Sequence, residues 1–233
     1  MKTMQRIALA AALLAPVFSH ADLLNITLPG TTAQGTWVFN DTYYTGYAYG
    51  AAWPSAMAPI TSAPYSSDIN ASLNRLSGDG YITAGTDGML YTAGFYPGAP
   101  GTVLEISATP SLDLNNLIFE MDFSETSPVT VSLTYNGGTI LAPTYTYSGP
   151  GSSSSEMGGD SDMLALQWDL TGITVTDYTI TIDAPIHTGI YAISVVEGDT
   201  FDGKAIPEPS TYAALAGLGV LGLALLRRKL SQK

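Results

Sequence analysis

The sequence has no cysteine. Disulfides, a thiol nucleophile and a thiolate metal site are therefore all excluded. The absence is compatible with an oxidising exterior but does not identify a compartment. Histidine is nearly missing as well, with only His20 and His187 present. A serine hydrolase needs a base beside its nucleophile. His187 is the sole histidine outside the N-terminal segment, it lies in a turn-like Pro185-Ile186-His187-Thr188-Gly189, and no Gly-x-Ser-x-Gly elbow accompanies it. One histidine and no cysteine also argue against a zinc site of ordinary ligand type. Neither a phosphate-cradling glycine loop nor a dinucleotide fingerprint occurs.

Positive charge is the third scarcity. Of eight Lys and Arg, Lys2 and Arg6 lie near the start, and Arg227, Arg228, Lys229 and Lys233 near the end. Residues 22–206 hold only Arg75 and Lys204 against nineteen acids, a net charge of −17. Binding to nucleic acid needs basic side chains to neutralise phosphate, so no nucleic-acid partner is expected. A surface this acidic resists self-association and can attract divalent cations.

What the chain does have begins at its two ends. Residues 1–21 read as a secretory signal peptide. Lys2 and Arg6 form a positive start, Ile7 to Phe18 an apolar stretch, and Ser19-His20-Ala21 a small-x-small cleavage site. The other end runs Pro207-Glu208-Pro209, then an uncharged Tyr212 to Leu226, then Arg227-Arg228-Lys229. Residues 212–226 are apolar all round, which suits lipid. As a helix they would span roughly 22 Å, short of a full bilayer, with the arginine stems extending the reach by snorkelling. The basic cluster is expected to stay cytoplasmic, which puts the preceding chain outside.

This tail resembles the PEP-CTERM sorting signal of bacterial exported proteins. The resemblance rests on three features in order: Pro207, Glu208 and Pro209; the short apolar helix over 212–226; and the basic stop Arg227, Arg228 and Lys229. It covers only about the last 27 residues. It implies recognition by an exosortase, a membrane cysteine protease-transpeptidase, near the Pro-Glu-Pro. It also implies residence at the inner membrane before processing, and an association with exopolysaccharide or biofilm matrix afterwards. An uncleaved tail anchor is the alternative.

Between the ends, Gly, Ser, Thr and Tyr abound, and only 12% of the chain is charged, a composition that favours strands and turns. Strands are expected at 23–28, 37–39, 43–49, 81–84, 89–92, 102–107, 117–123, 129–135, 139–141, 164–169, 178–183 and 189–197. In Val129 to Tyr135 the apolar residues alternate with Thr130, Ser132 and Thr134, the period of a sheet with one wet face. Asn136-Gly137 marks a tight hairpin. Residues 50–80, broken by Pro54, Pro59 and Pro64, read as a long loop or edge excursion, and 148–162 as a flexible loop. These features imply an all-β fold: one β-sandwich of jelly-roll type over 22–200, a linker over 201–206, and the sorting signal over 207–233. Gly189 to Val196 resembles the last strand of jelly-roll carbohydrate-binding modules.

Three kinds of site are worth seeking in such a domain. Trp37, Tyr47 and Trp53, in an aromatic run with Tyr43, Tyr44 and Tyr49, would suit a sugar platform, whose rings must be exposed and roughly coplanar; core packing is the other reading. Asp160, Asp162, Glu197 and Asp199 lie in acidic, glycine-flanked segments that would suit one structural calcium; no other cofactor is implied. Glu120 and Asp122, two apart on one strand, share a face and could serve a carboxylate-dependent polysaccharide-active enzyme, though such pairs are common on the wet face of any acidic sheet. The leading expectation is a non-enzymatic structural or interaction protein of the envelope or extracellular matrix. A carbohydrate-binding module for exopolysaccharide is the alternative.

Overall fold

A computed structural model describes residues 23–24, 26–39, 43–44, 56–83, 88–92, 101–124, 128–155, 159–203 and 205–206. These form an all-β sandwich of two antiparallel sheets, with no helix among the described residues. The expected signal peptide over 1–21, the expected sorting signal from Pro207 onward and the apolar 212–226 segment lie outside the described residues. Among the described residues twelve strands follow one another: β1 (Thr32–Val38), β2 (Asn70–Ser77), β3 (Tyr81–Ile82), β4 (Leu90–Tyr91), β5 (Thr102–Thr109), β6 (Asn116–Ser124), β7 (Thr130–Tyr135), β8 (Thr139–Leu141), β9 (Tyr145–Ser155), β10 (Gly159–Asp169), β11 (Tyr178–Ala184) and β12 (Gly189–Gly198).

The larger sheet runs β3-β4-β12-β6-β10-β9, with β1 also paired to β12. The smaller runs β2-β5-β11-β7-β8. In β5 and β11 burial alternates strictly, with Leu104, Ile106, Ile180 and Ile182 inward and Glu105, Ser107, Thr179 and Thr181 outward. That period of two gives the smaller sheet one wet face. By contrast, β6 and β12 are buried along their whole length on both faces. Their inward residues Leu117, Phe119, Met121, Ile193 and Val195 join the main core with Trp37, Trp168 and Phe39. Their outward residues Ile118 and Val196 belong to a second apolar cluster on the far side of the sheet.

The two sheets are also joined by a buried polar tie. Glu197 of β12 accepts a hydrogen bond from the Tyr178 hydroxyl of β11 at 2.9 Å and another from the Ser111 N–H at 2.9 Å. Burial pushes the Glu197 carboxyl upward, while those two donors pull it back. The Tyr178 hydroxyl is held well above its ordinary value by burial and by the adjacent Glu197. A buried acceptor with both oxygens engaged avoids the cost of an orphaned polar group.

Four local expectations need correction. The described residues of 23–28 form no strand; they run outside both sheets and pack on the second cluster. Of the two alternatives for residues 50–80, a long loop or an edge excursion, the loop fails over β2, which forms the edge of the smaller sheet. Its sequence NASLNRLS is poor in the residues that favour strands, yet Leu73 is wholly buried. The described part of the 148–162 segment is instead the paired ends of β9 and β10. Its Gly and Ser composition suggested a flexible loop, but cross-strand pairing supplied the order. The paired Glu120 and Asp122 are buried rather than on a wet face. The Asn136-Gly137 turn is as expected: both residues have positive φ, 49° and 78°, and β8 folds back on β7.

Trp37 is fully buried and its indole N–H donates to the Met57 carbonyl at 3.0 Å. Trp37→Ala is expected to destabilise the domain by about 3–5 kcal/mol, measured as a lower urea midpoint. Trp37→Phe should cost less, because it keeps most of the apolar volume and loses mainly that hydrogen bond.

Candidate functional site

The features most suggestive of function lie on the outer face of the larger sheet, and they follow from pairing. Because β1 and β12 are antiparallel, Thr32 lies opposite Gly198. The chain before β1 and the chain after β12 therefore leave the sheet from the same end. Both segments then fold over the sheet's outer face. Leu23, Leu24, Ile26 and Leu28 come from the first; Ala205 and Ile206 come from the second. Together with Ile118, Val196, Ala165, Met163 and Tyr147 they make one apolar cluster, in which Leu28 and Ile206 are buried.

The described residues of 201–206, a stretch expected as a linker, are held at several points. Phe201 stacks on Tyr145 of β9 with ring centroids 6.3 Å apart. The Gln167 side-chain amide of β10 donates to the Asp202 carbonyl at 2.7 Å. The Ala205 N–H donates to the same carbonyl at 3.1 Å. A Cβ on Gly203 would come within 2.8 Å of the Tyr145 hydroxyl. The seat has a matching constraint on the other segment, since a Cβ on Gly198 would meet Leu28 Cδ1 at 2.9 Å.

Beside this cluster a transverse row crosses the sheet. By register it runs Thr36, Ser194, Glu120, Ala165 and Tyr147, on β1, β12, β6, β10 and β9. Glu120 is 2% exposed, and its Oε1 has no hydrogen-bond partner among the described residues. Burial raises its carboxyl from 4.5 to about 8. Asp122, two residues along, accepts a 2.5 Å hydrogen bond from the Ser153 hydroxyl, and Ser161 Oγ accepts one from the Ser153 N–H at 2.9 Å. The two carboxyls share a face as expected. They lie in a buried surface, however, not in a cleft open to a polymer.

The expected calcium ligands are not brought together. Asp160 and Asp162 are exposed near one end of β10, with Asp162 level with Phe123 of β6. Glu197 is level with Leu117, six positions away along β6, about 20 Å at the usual strand rise. Glu197 is committed to the inter-sheet tie, and Asp199 accepts from the Thr31 N–H at 3.0 Å, which lowers its carboxyl. Among the described residues no group of three or more His, Asp or Glu is placed to hold a metal.

The expected aromatic platform is likewise dismantled in its described part. Trp37 sits in the core, and Tyr44 is buried and stacked on Phe39 with centroids 5.9 Å apart. Tyr43 packs edge-on against Tyr65. Tyr47, Tyr49 and Trp53 lie outside the described residues. A different ring cluster occurs at the β3–β4 edge. Tyr81 and Tyr91 are 5.8 Å apart, and Tyr91 and His187 are 5.9 Å apart. The Tyr91 hydroxyl lies 2.6 Å from His187 Nδ1. His187 has φ +67°, in a turn clamped by the Thr92 carbonyl, which accepts from its N–H, and by Thr92 Oγ1, which accepts from the Thr188 N–H. Sequence spacing gave no hint of this cluster, because its members are up to 106 residues apart.

An all-β sandwich carrying its own C-terminal address is thus the class of protein defined so far. The PEP-CTERM protein-sorting motif matches residues 205–229, so the chain carries the tail of an exported exosortase substrate. The first two matched residues, Ala205 and Ile206, are those seated on the sandwich. No curated protein matches the chain. Among solved structures, a family GH115 4-O-methyl-alpha-glucuronidase with specificity for decorated arabinogalactans aligns with 60% of this chain and 19% of its own, at 12% identity and a TM-score of 0.27. The enzymatically active domain of bacteriophage CBA120 tailspike protein 4 aligns with 56% and 18%, at 10% identity and a TM-score of 0.24. The chain spans about a fifth of the length of each, and likeness at this level carries no functional argument.

Glu120 generates a signed prediction. Below about pH 4.5 its carboxyl is protonated in both the folded and unfolded chain. Between pH 4.5 and about 8 the unfolded chain ionises while the folded one stays protonated. Stability from this group is therefore lost as pH rises through that window, and the loss levels off above about pH 8. Glu120→Gln should raise the urea midpoint at pH 8 and flatten its pH dependence between 4.5 and 8. An unchanged slope would show that Glu120 is ionised in the fold.

Proposed function

We propose that this is a non-enzymatic interaction protein of the cell envelope or extracellular matrix, exported and then trimmed by an exosortase. The observation that carries the reading is the sorting motif at 205–229, continuous with the folded sandwich through Ile206. In this reading residues 1–21 are a cleaved signal peptide and 212–226 a temporary transmembrane helix. Arg227, Arg228 and Lys229 form its cytoplasmic stop. The sandwich is a jelly roll, a reading supported by the strand orders β1-β12-β6-β10 and β5-β11-β7-β8 within the two sheets.

Intact mass of protein recovered from envelope and extracellular fractions tests this reading. A C-terminus truncated near Pro207–Pro209 only when the exosortase is present is the expected result, and extra mass there would identify a covalent acceptor. A full-length C-terminus with and without the enzyme would leave a membrane-anchored domain.

A second reading, binding of exopolysaccharide, is favoured by the Tyr81–Tyr91–His187 cluster. Tyr81 and Tyr91 are half-buried and His187 is exposed. Ring faces pack against sugar C–H groups, and ring hydroxyls can hydrogen-bond sugar hydroxyls. The hydroxyl-rich outer face of the smaller sheet adds a shallow groove of about 410 Å³ lined by Asn70, Ser72, Ser107, Thr109, Asp177 and Thr179. Tyr91→Ala is expected to weaken retention on the host's purified exopolysaccharide by roughly tenfold, in line with the loss of one stacked ring. Retention equal to wild type would remove this cluster from consideration.

A further inference from the structure

The segment joining the sandwich to the sorting motif is part of the fold, and this bears on how the motif is reached. Pro209 is three positions beyond Ile206, so the chain allows at most about 11 Å between it and the Ile206 seat whatever its conformation. A protease cleft that takes its substrate as an extended strand needs free backbone and several residues beside the motif it grips. Here the residues on the N-terminal side are already engaged. Phe201 is on Tyr145, the Asp202 carbonyl is on Gln167, the Ala205 N–H is turned back on Asp202, and Ile206 is buried.

We propose that residues 201–206 act as a latch on the sorting site: the exosortase grips Pro207–Pro209 only when this strap lifts from the outer face of the larger sheet. The proposal rests on the exosortase reading above and adds its control point. Cleavage of a transiently opened segment tracks the population of the open state when opening and closing are fast. The rate of tail removal then depends on how firmly the strap is seated. Part of that seat is built from the other end of the chain. Leu28 lies in the same cluster as Ile206 although 178 residues separate them in sequence. The segment freed by signal-peptide removal therefore helps to hold the latch shut, and the two processing events are linked through one apolar patch.

Leu28→Ala gives the decisive test, because it is remote from any sequence an exosortase reads near Pro207. Pulse-chase labelling in the native host would follow loss of the tail from full-length protein. Leu28→Ala and Ile206→Ala should each speed tail loss by about tenfold, the effect of roughly 1.4 kcal/mol on the open population. A six-residue Gly-Ser insertion between Ile206 and Pro207 should also speed it while leaving the strap seated, and it guards against a variant that fails to fold. Amide exchange at Ala205 should quicken in Leu28→Ala and stay slow in the insertion variant. Wild-type rates of tail loss in both Leu28→Ala and the insertion variant would overturn the latch. Tail loss that proceeds equally in a strain lacking the exosortase would remove the processing reading itself, and the latch with it.

Discussion

The pairing of β1 with β12 is the constraint on which the arrangement depends. It places the first and last strands side by side and antiparallel, in register from Thr32 opposite Gly198 to Val38 opposite Ala192. Any chain that begins and ends on adjacent antiparallel strands sends one end in where the other goes out. The N-terminal and C-terminal segments are thus brought to one edge before side-chain chemistry intervenes. Apolar side chains at Leu28 and Ile206 then decide that both segments fold over the sheet rather than into solvent.

That covering explains why the central strands differ from the ordinary alternating pattern. β6 and β12 bury both faces, as strands inside a three-layered region must. Their outer faces carry a mixture that neither a core nor a wet surface would select: Ile118 and Val196 beside Glu120, Asp122 and Ser194. The smaller sheet has no such burden. Its outer positions are threonines, serines and occasional acids, and its inner ones leucine, isoleucine and tyrosine. The smaller sheet turns one face to water, and the larger sheet is covered by the segments on either side of β1 and β12.

Much of the second half was legible in the sequence because its strands alternate cleanly and its turn residues have one conformational use. Val131, Leu133, Ile180 and Ile182 announce their face by period, and Asn136-Gly137 admits few other turns. β2 and the β9–β10 hairpin were not legible, since Asn, Ser and Gly carry little local preference for a strand and were ordered by their neighbours across the sheet. The candidate sites fared in the same way. A tryptophan in a run of tyrosines reads alike whether it is platform or core, and only the packing against Met57 and the main cluster put Trp37 inside. Acids close in sequence, such as Asp160 and Asp162, reveal nothing about the distance to Glu197 until register fixes it.

The sequence alone determined the address. A sorting signal is read as a linear peptide, so Pro207, Glu208 and Pro209, the apolar stretch and the basic end carry their meaning without a fold. It also determined the all-β class, because alternation and turn chemistry are local. Only the tertiary structure decided what touches the address. Contact between Leu28 and the Ile206 cluster, the meeting of Tyr81 with Tyr91 and His187, and the burial of Glu120 depend on strand order and register. These are set by long-range pairing, in which residues far apart along the chain become neighbours and no local pattern records which ones.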